Sequence, residues 1–389
     1  MDTERGTDRD AGAEPAVGPG PARAFPARAD GGTCGTGQGA GGGPRVRPAD
    51  PPPAPAAAAA PPFDPELAAV LAALGPAARE PLTPANLADR QRRDRTARPR
   101  PTLGELRSDG LFEVAELRVA VAPGGREVTL VSARPAGAAG PLPVLYYLHG
   151  GGMVMGNAWS VLPRVLREWA LPLGLAVVSV DYPLAPRARY PVPLEDCYAG
   201  LVWLAEQASG LGLDPDRVLI GGKSAGGGLA AALALLTRDR GGPVPIGQLL
   251  VCPMLDDRNA TSSGRQMAGL DTWDRDSNAT AWQALLGERR GAPDLPPYAA
   301  PARATDLSRL PPAYLDVGSA ETFRDETVAY ANALWQAGGQ AELHVWPGGF
   351  HGFDTLAPRA ALSRDAREAR TRWLRRLLAR PGAPGGPAC

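Results

Sequence analysis

Apolar residues in the middle of the chain occur in short, nearly continuous runs separated by helical patterns. The runs are Val144 to Leu148, Ala176 to Val180, Val218 to Ile220, Leu249 to Val251 and Ala313 to Leu315. Runs of this length are typical of strands buried on both faces of a parallel sheet. Helical spacing between them is clearest from Leu194 to Gln207 and from Leu229 to Thr237. The alternation predicts an α/β fold with a mostly parallel, doubly wound sheet.

Further apolar patterns lie before and after these runs along the chain. Phe112 to Val119 alternates between apolar and polar positions, and Val128 to Ala133 follows a Gly124–Gly125 turn. Two such segments joined by a glycine turn predict an antiparallel strand pair that opens the sheet. Near the other end, Ala360 to Arg380 places apolar side chains on one face of a predicted helix. These are Ala366, Trp373, Leu374 and Leu377.

Composition divides the chain into four parts. Residues 1–62 are mostly Gly, Pro, Ala, Arg and Asp, and we predict disorder because they bury too little apolar surface to offset the ordering entropy. Asp64 is a favourable N-cap and Pro65 suits the first helical position, which predicts a helix as far as Leu74. We therefore assign residues 63–105 to an N-terminal helical cap segment, 106–380 to the α/β domain and 381–389 to a flexible tail.

Charge and hydropathy exclude several classes of partner. The 389 residues include 41 basic and 41 acidic ones, so no overall field favours nucleic acid. No apolar run approaches the roughly 18 residues of a membrane span, and no apolar signal segment opens the chain, so we expect a cytoplasmic protein without stable membrane insertion. The cysteines show no paired spacing that would predict a metal site. The Arg-rich stretch from Arg90 to Arg100 fits a solvated linker or helix face better than a patch for an anionic partner.

A serine on a tight turn is the first candidate for chemistry. The strand Val218 to Ile220 leads into Gly221-Gly222-Lys223-Ser224-Ala225-Gly226, and a helical pattern follows. Strand, sharp turn and helix form the context that a nucleophile elbow requires, with small residues at 222 and 226 to let the turn pack closely. The free N–H groups at the start of the helix favour negative charge on a reacting oxygen. We predict that Ser224 is a nucleophile.

A glycine loop follows an earlier apolar strand. His149 precedes Gly150, Gly151 and Gly152 directly after Leu148. Successive glycines let backbone N–H groups turn toward a substrate oxygen, as stabilisation of a tetrahedral oxyanion requires. We expect two of the three glycines, together with Ala225, to supply the donors. We assign His149 to orienting this loop by hydrogen bonds.

The general base and the acid that would accompany Ser224 are predicted from their positions along the chain. Of three histidines, His149 precedes the glycines and His344 lies in an alternating strand pattern, which leaves His351 in a Gly-rich loop as the general base. The acid should follow a strand between the serine and this histidine. Glu321 comes first after the strand from Pro312 to Gly318, and Asp325 is the alternative.

These segments together resemble one known family. The chain is similar to hormone-sensitive-lipase-like bacterial carboxylesterases and lipases of the α/β-hydrolase fold, from about Phe63 to Arg380. The matching pieces are Tyr146 to Gly152, Asp181 to Pro186, Leu194 to Ala199, Gly222 to Gly227 and Phe323 to Glu326. The resemblance implies a sheet of about eight strands, with N-terminal helices that contribute to a cap over an acyl pocket.

The chain departs from that family at two positions. Lys223 stands before the nucleophile where the family commonly has Asp, and Glu321 is the acid where it often has Asp. The only lysine of the chain either makes the site entrance more electropositive or is solvated or paired in a salt bridge. The Trp-bearing stretches from Asp271 to Trp282 and around Trp335 fit core packing better than a pocket wall.

The predicted function is hydrolysis of carboxylic esters of short to medium acyl chains by Ser224, His351 and Glu321, without metal or cofactor. The predicted partner is a small-molecule ester. Activity is expected to rise as His351 loses its proton near its ordinary pKa of roughly 6.5. The alternatives are an amidase, formamidase or lactonase with the same triad, or a ligand-binding receptor on the hydrolase fold that lacks activity.

Overall fold

One sheet of eight strands organises the part of the chain that the structure describes. The structure is a computed structural model and describes residues 59–121 and 125–379. The strands are β1 (Phe112–Val121), β2 (Arg126–Pro135), β3 (Leu142–Leu148), β4 (Ala176–Asp181), β5 (Leu213–Lys223), β6 (Gly247–Val251), β7 (Ala313–Gly318) and β8 (Ala341–Trp346). They lie side by side in the order β1-β2-β4-β3-β5-β6-β7-β8. The predicted mostly parallel α/β sheet is confirmed.

The sheet opens antiparallel and continues parallel. β1 pairs with β2 over its whole length, from Phe112 opposite Pro135 to Val121 opposite Arg126, and β2 pairs antiparallel with β4. From β4 onward every pair of neighbours is parallel. Parallel strands bring their carboxyl ends to one edge, so the loops after β3, β5, β7 and β8 meet there. All of the predicted site residues lie in or near these four loops.

Helices cover both faces of the sheet. They are α1 (Pro65–Leu74), α2 (Leu87–Ala97), α3 (Leu103–Leu106), α4 (Ala158–Val165), α5 (Leu171–Leu173), α6 (Val192–Gln207), α7 (Ala225–Arg240), α8 (Ser262–Gln266), α9 (Arg275–Leu286), α10 (Arg324–Gln336), α11 (Phe353–Leu356) and α12 (Ala361–Leu378). Helix α7 is the most central, with Ala225 to Thr237 buried throughout. Its small side chains let the helix approach β3, β5 and β6 closely, because Ala and Gly leave little side-chain bulk between backbone layers.

The first helix packs beside the loop that contains His351. The Asp64 carboxylate accepts hydrogen bonds from the N–H groups of Glu66 and Leu67, as its predicted N-cap role requires. The rings of Phe63 and Phe350 meet edge to face with centroids 6.1 Å apart. Leu67 and Leu71 of α1 share a buried cluster with Phe350 and Phe353. This cluster attaches the N-terminal segment to the residues on either side of His351.

Helix α2 covers the Arg-rich stretch and contacts the loop after β3. Its Gln91 amide donates to the carbonyl oxygens of Val154 and Ala185 at 2.8 and 3.0 Å, and Asp94 accepts from the Gly156 N–H at 2.9 Å. Its exposed arginines pair largely with acidic residues of the same region, such as Arg93 with Asp89. The stretch is therefore a helix face, and its internal pairing leaves little unpaired charge for an anionic partner.

Two of the predicted segments lie wholly or almost wholly outside the described residues. These are the disordered segment 1–62, of which only residues 59–62 are described, and the tail 381–389. Within residues 59–121 and 125–379, no helix is long and apolar enough to cross a bilayer.

Candidate active site

Ser224 lies in a strained turn between β5 and α7. Its φ and ψ angles are 59° and −121°, a region that side-chain-bearing residues rarely adopt. The turn also packs without room for side chains at its flanks: a Cβ on Gly226 would lie 2.0 Å from the carbonyl oxygen of Leu148, and one on Gly222 would lie 2.3 Å from the backbone of Gly226. The predicted elbow geometry is therefore present, and it directs the Ser224 hydroxyl toward the loop after β8.

Three side chains form a continuous hydrogen-bonded line at this edge of the sheet. His351 Nε2 lies 3.0 Å from Ser224 Oγ, and His351 Nδ1 lies 2.8 Å from Glu321 Oε1. Ser224 and Glu321 are 6% and 1% exposed. Because both ring nitrogens are engaged, the imidazole is oriented between a hydroxyl and a carboxylate, the arrangement that activates a nucleophilic serine.

The structure brings Glu321 rather than Asp325 to the histidine. The second oxygen of Glu321 accepts the Gly318 N–H at 2.8 Å, which fixes the carboxylate at the end of β7. Asp325 points elsewhere: its Oδ2 accepts the Ser263 N–H at 2.7 Å and its Oδ1 accepts from Arg324. His344 lies in β8 and contacts Glu342. Of the two acids that the sequence left open, the structure places Glu321 beside His351.

Buried neighbours set the pKa of His351. Burial disfavours its imidazolium, but the adjacent Cys252 sulfur and Glu321 carboxylate outweigh that effect and raise the pKa of His351 well above its ordinary range. The Cys252 thiol also lies beside this pair. Burial raises its pKa above 9.0, so at neutral pH it is an uncharged neighbour. A buried carboxylate therefore lies beside the ring and compensates its positive charge when the ring is protonated.

The glycine loop after β3 lies directly beside Ser224. A Cβ on Gly150 would meet the Lys223 carbonyl oxygen at 2.8 Å and the Ser224 Cβ at 3.4 Å. Among the residues that the structure describes, none accepts a hydrogen bond from the N–H of Gly150, Gly151, Gly152 or Ala225. Backbone N–H groups without a partner beside the serine are what the predicted oxyanion hole requires.

His149 is held inside the protein. Its ring stacks on Tyr182 with centroids 4.1 Å apart and planes 8° apart, and its Nδ1 lies 2.9 Å from the Gly150 carbonyl oxygen. The Tyr182 hydroxyl donates to the His149 carbonyl oxygen at 2.7 Å. Burial lowers the pKa of His149 to about 4, so the ring is neutral near pH 7 and Nδ1–H can donate. These contacts fix the start of the glycine loop.

Two neighbours of the triad were not found by sequence reasoning. Asp271 is buried and accepts the backbone N–H of His351 at 2.9 Å and that of Thr322 at 3.1 Å. Burial, partly offset by His351, raises its pKa to about 7. Cys252, a Glu321 oxygen and a His351 nitrogen have potential ligand atoms within 4.8 Å of one another. Glu321 and His351 are hydrogen-bonded to each other, so two of these three potential metal ligands are members of the candidate triad.

Comparisons with known proteins agree with this geometry. Residues 145–355 match the family model described as alpha/beta hydrolase fold. The chain belongs to the α/β-hydrolase family. It is 38% identical over 218 residues to "Carboxylesterase NlhH" of Mycobacterium tuberculosis, covering 56% of this chain and 68% of that protein. It is also 33% identical over 210 residues to "Ethyl acetate hydrolase" of Pseudomonas putida, covering 54% and 65%.

The fold of this α/β-hydrolase also matches solved esterase structures. The structure described as "Bacterial Heroin Esterase" superposes with a TM-score of 0.74 at 38% identity, covering 82% of this chain and 98% of that one. The predicted resemblance to hormone-sensitive-lipase-like carboxylesterases is confirmed. The protein is a carboxylesterase-type hydrolase.

Proposed function

We propose that this hydrolase cleaves carboxylic esters through an acyl-enzyme formed on Ser224, with His351 as general base and Glu321 as the orienting acid. The observation that carries the proposal is the hydrogen-bonded line from Glu321 through His351 to Ser224, with distances of 2.8 and 3.0 Å. Serine is a weak nucleophile at its own pKa and needs an adjacent base. An imidazole held between hydroxyl and carboxylate supplies one.

The reaction then proceeds in two acyl-transfer steps. Ser224 Oγ bonds to the ester carbonyl carbon while its proton moves to His351 Nε2. The carbonyl oxygen becomes an oxyanion, which receives hydrogen bonds from N–H groups of the glycine loop and Ala225. The tetrahedral intermediate then expels the alcohol, which takes the proton from Nε2. Water repeats the sequence on the acyl-enzyme, which releases the carboxylic acid and restores the serine.

Two further roles belong to this proposal. His149 orients the glycine loop, supported by its stacking on Tyr182 and its contact with the Gly150 carbonyl. The segment 63–105 forms part of a cap, supported by the hydrogen bonds from α2 to Val154 and Gly156 of the loop after β3. Both would act through the placement of the oxyanion donors.

The proposed preference is for short acyl chains, and the support for it is the small volume of a cavity along helix α7. A cavity of about 10 Å³ lies along the first turns of α7, with Met153, Leu229, Met254, Trp282 and Leu285 among its lining residues. This is room for about one water molecule, so a long acyl chain would require the wall to move. A relative that is named for the hydrolysis of ethyl acetate supports the same preference.

The direct test is hydrolysis of p-nitrophenyl esters from acetate to dodecanoate, with Ser224→Ala as control. We expect the highest kcat/KM for acetate or butyrate and loss of turnover in the variant. A matched panel of p-nitroanilides and lactones distinguishes amidase or lactonase activity. Labelling with an organophosphonate distinguishes a receptor: a wild-type chain that is neither labelled at Ser224 nor active on any ester would contradict the proposal.

A further inference from the structure

One segment before α9 contacts all three parts of the candidate machinery. It consists of Asp271, Thr272 and Trp273 and is termed the bridging segment. The loops that it reaches are the turn after β7, which contains Glu321, the loop after β8, which contains His351, and the glycine loop after β3. None of its side chains belongs to the hydrogen-bonded line of Glu321, His351 and Ser224, so we assign this segment no step of the reaction.

The Asp271 carboxylate joins the acid turn to the base loop. Its Oδ1 accepts the His351 N–H at 2.9 Å and the Thr272 N–H at 2.7 Å, and its Oδ2 accepts the Thr322 N–H at 3.1 Å. Thr322 directly follows Glu321 in the chain. One buried carboxylate, 1% exposed, therefore holds both the backbone of His351 and the peptide bond that follows Glu321.

Two threonine hydroxyls complete this connection. Thr272 Oγ1 donates to the carbonyl oxygen of His351 at 2.5 Å, so the backbone of His351 is held on both its N–H and its C=O. Thr322 Oγ1 donates to the carbonyl oxygen of Trp273 at 2.7 Å. The bridging segment therefore accepts hydrogen bonds from both loops and donates one to the loop that contains His351.

The Trp273 ring extends the contact to the glycine loop. A Cβ placed on Gly152 would lie 2.3 Å from Cη2 of this ring, so the indole fills the space next to that glycine. Trp273 is itself 8% exposed. Movement of the bridging segment would therefore reach the predicted oxyanion donors as well as the acid and the base.

We propose that Asp271 is a positioning residue, which sets the distance between Glu321 and His351 through their backbones. This inference rests on the proposed function, because it assigns a role relative to that triad. Reaction rates are sensitive to such distances, since a misplacement of about 1 Å can cost roughly 100-fold.

Asp271→Asn tests the proposal with little change in shape. An amide has one oxygen, so its NH2 group must face a backbone N–H on at least one side, and two donors repel each other. We expect kcat for p-nitrophenyl acetate to fall by about 10- to 100-fold with KM within about twofold of the wild type. The rate of organophosphonate labelling at Ser224 should fall in parallel, because it depends on the same base.

The matched control is Asp274→Asn. Asp274 is also buried and also accepts backbone N–H groups, from Ser277 and Gly269 at 2.9 and 3.2 Å, but it contacts neither triad loop. The amide at position 274 also replaces a carboxylate that accepts with both oxygens, but its partners lie outside the two triad loops, so we expect kcat to stay within about twofold of the wild type. Thermal unfolding is measured for every variant, and all assays run well below each midpoint.

Three outcomes would overturn the inference: a folded Asp271→Asn enzyme with wild-type kcat, an equal loss in Asp274→Asn, or a change in KM alone. If Asp271→Asn does not fold, Thr272→Val decides, because it removes only the hydroxyl that donates to His351. A several-fold loss of kcat supports the role and an unchanged kcat overturns it. A wild-type enzyme without esterase activity would instead contradict the proposed function.

Discussion

The ammonium group of Lys223 lies 2.6 Å from the Asp354 carboxylate, which joins the residue before Ser224 to helix α11, just after His351. Thr355 Oγ1 lies equally close, at 2.6 Å. Asp354 is 2% exposed and also pairs with Arg164 and Arg370. Burial opposes its charge, but these three cations hold the pKa of Asp354 well below its ordinary range. The only lysine of the chain is thus in a salt bridge, the second of the two roles that the sequence left open.

Lys223→Met should lower stability. The substitution removes one cation from a buried carboxylate that keeps two arginines, so we expect a loss of about 1–3 kcal/mol in the free energy of unfolding. Urea denaturation at pH 7 measures it. Lys223→Arg keeps the charge and serves as the control. A Lys223→Met protein as stable as the wild type would show that Arg164 and Arg370 alone compensate the charge of Asp354.

The pH profile should reflect the raised pKa of His351. The base acts only when neutral, and a pKa above 6.5 keeps it protonated to higher pH. The rise of kcat/KM for p-nitrophenyl acetate should therefore have its midpoint above pH 6.5, higher than expected from an isolated histidine. Initial rates between about pH 5 and 9 measure this. A midpoint below pH 6 would argue against the buried Glu321–His351 pair.

Glu321→Gln should lower kcat by roughly 10⁴-fold, the size of the effect seen when the acid of a serine-protease triad becomes an amide. The amide can present N–H to His351 Nδ1, which favours the wrong tautomer. Asp325→Asn is the matched control, since Asp325 bonds the Ser263 N–H and should leave kcat unchanged. If the larger loss occurs in Asp325→Asn, the acid is assigned wrongly.

Two inactive variants should differ in stability at the strained turn. With φ at 59° and ψ at −121°, position 224 suits glycine and strains alanine. We expect Ser224→Gly to be more stable than Ser224→Ala by about 1–3 kcal/mol, the usual cost of such a conformation. Guanidinium denaturation of both proteins provides the comparison. Equal stabilities would mean that the turn relaxes when the serine is removed.

Leu285→Ala should shift the acyl preference toward longer chains. Leu285 lines the small cavity beside α7 and is 4% exposed, so its truncation adds space where the acyl group is proposed to lie. We expect the octanoate-to-acetate ratio of kcat/KM to rise by about tenfold. Leu286→Ala is the control on the same helix, because Leu286 is buried but does not line the cavity. A similar shift in both variants would point to general loosening.

The sheet, and the candidate site residues that directly follow its strands, could be predicted from the sequence. The parallel strands follow from continuous apolar runs, and Ser224, Glu321 and His351 follow from their positions after β5, β7 and β8. The structure brings these three within hydrogen-bonding distance, while their catalytic roles stay predictions. The predicted strands are shorter than the observed ones: β5, for example, also includes Asp214, Asp216 and Arg217.

Contacts between distant parts of the chain could not be predicted in this way. Asp271 meets the His351 backbone across 80 positions, and Lys223 meets Asp354 across 131. Nothing local distinguishes such an aspartate from a surface residue, since its burial and partners are created only when the loops converge. For the stretch from Asp271 to Trp282 the sequence favours core packing over a pocket wall, although its first residues contact both triad loops.

The packing of α1 against Phe350 and Phe353 has a practical consequence for anyone who shortens this protein. The Asp64 N–H donates to the Gly348 carbonyl oxygen at 3.1 Å, three residues before His351. A version that began at α2 would expose two phenylalanines on either side of His351 and release the loop that contains this histidine. Trimming for crystallisation or expression should therefore stop before Phe63, even though this helix lies far from Ser224 in the sequence.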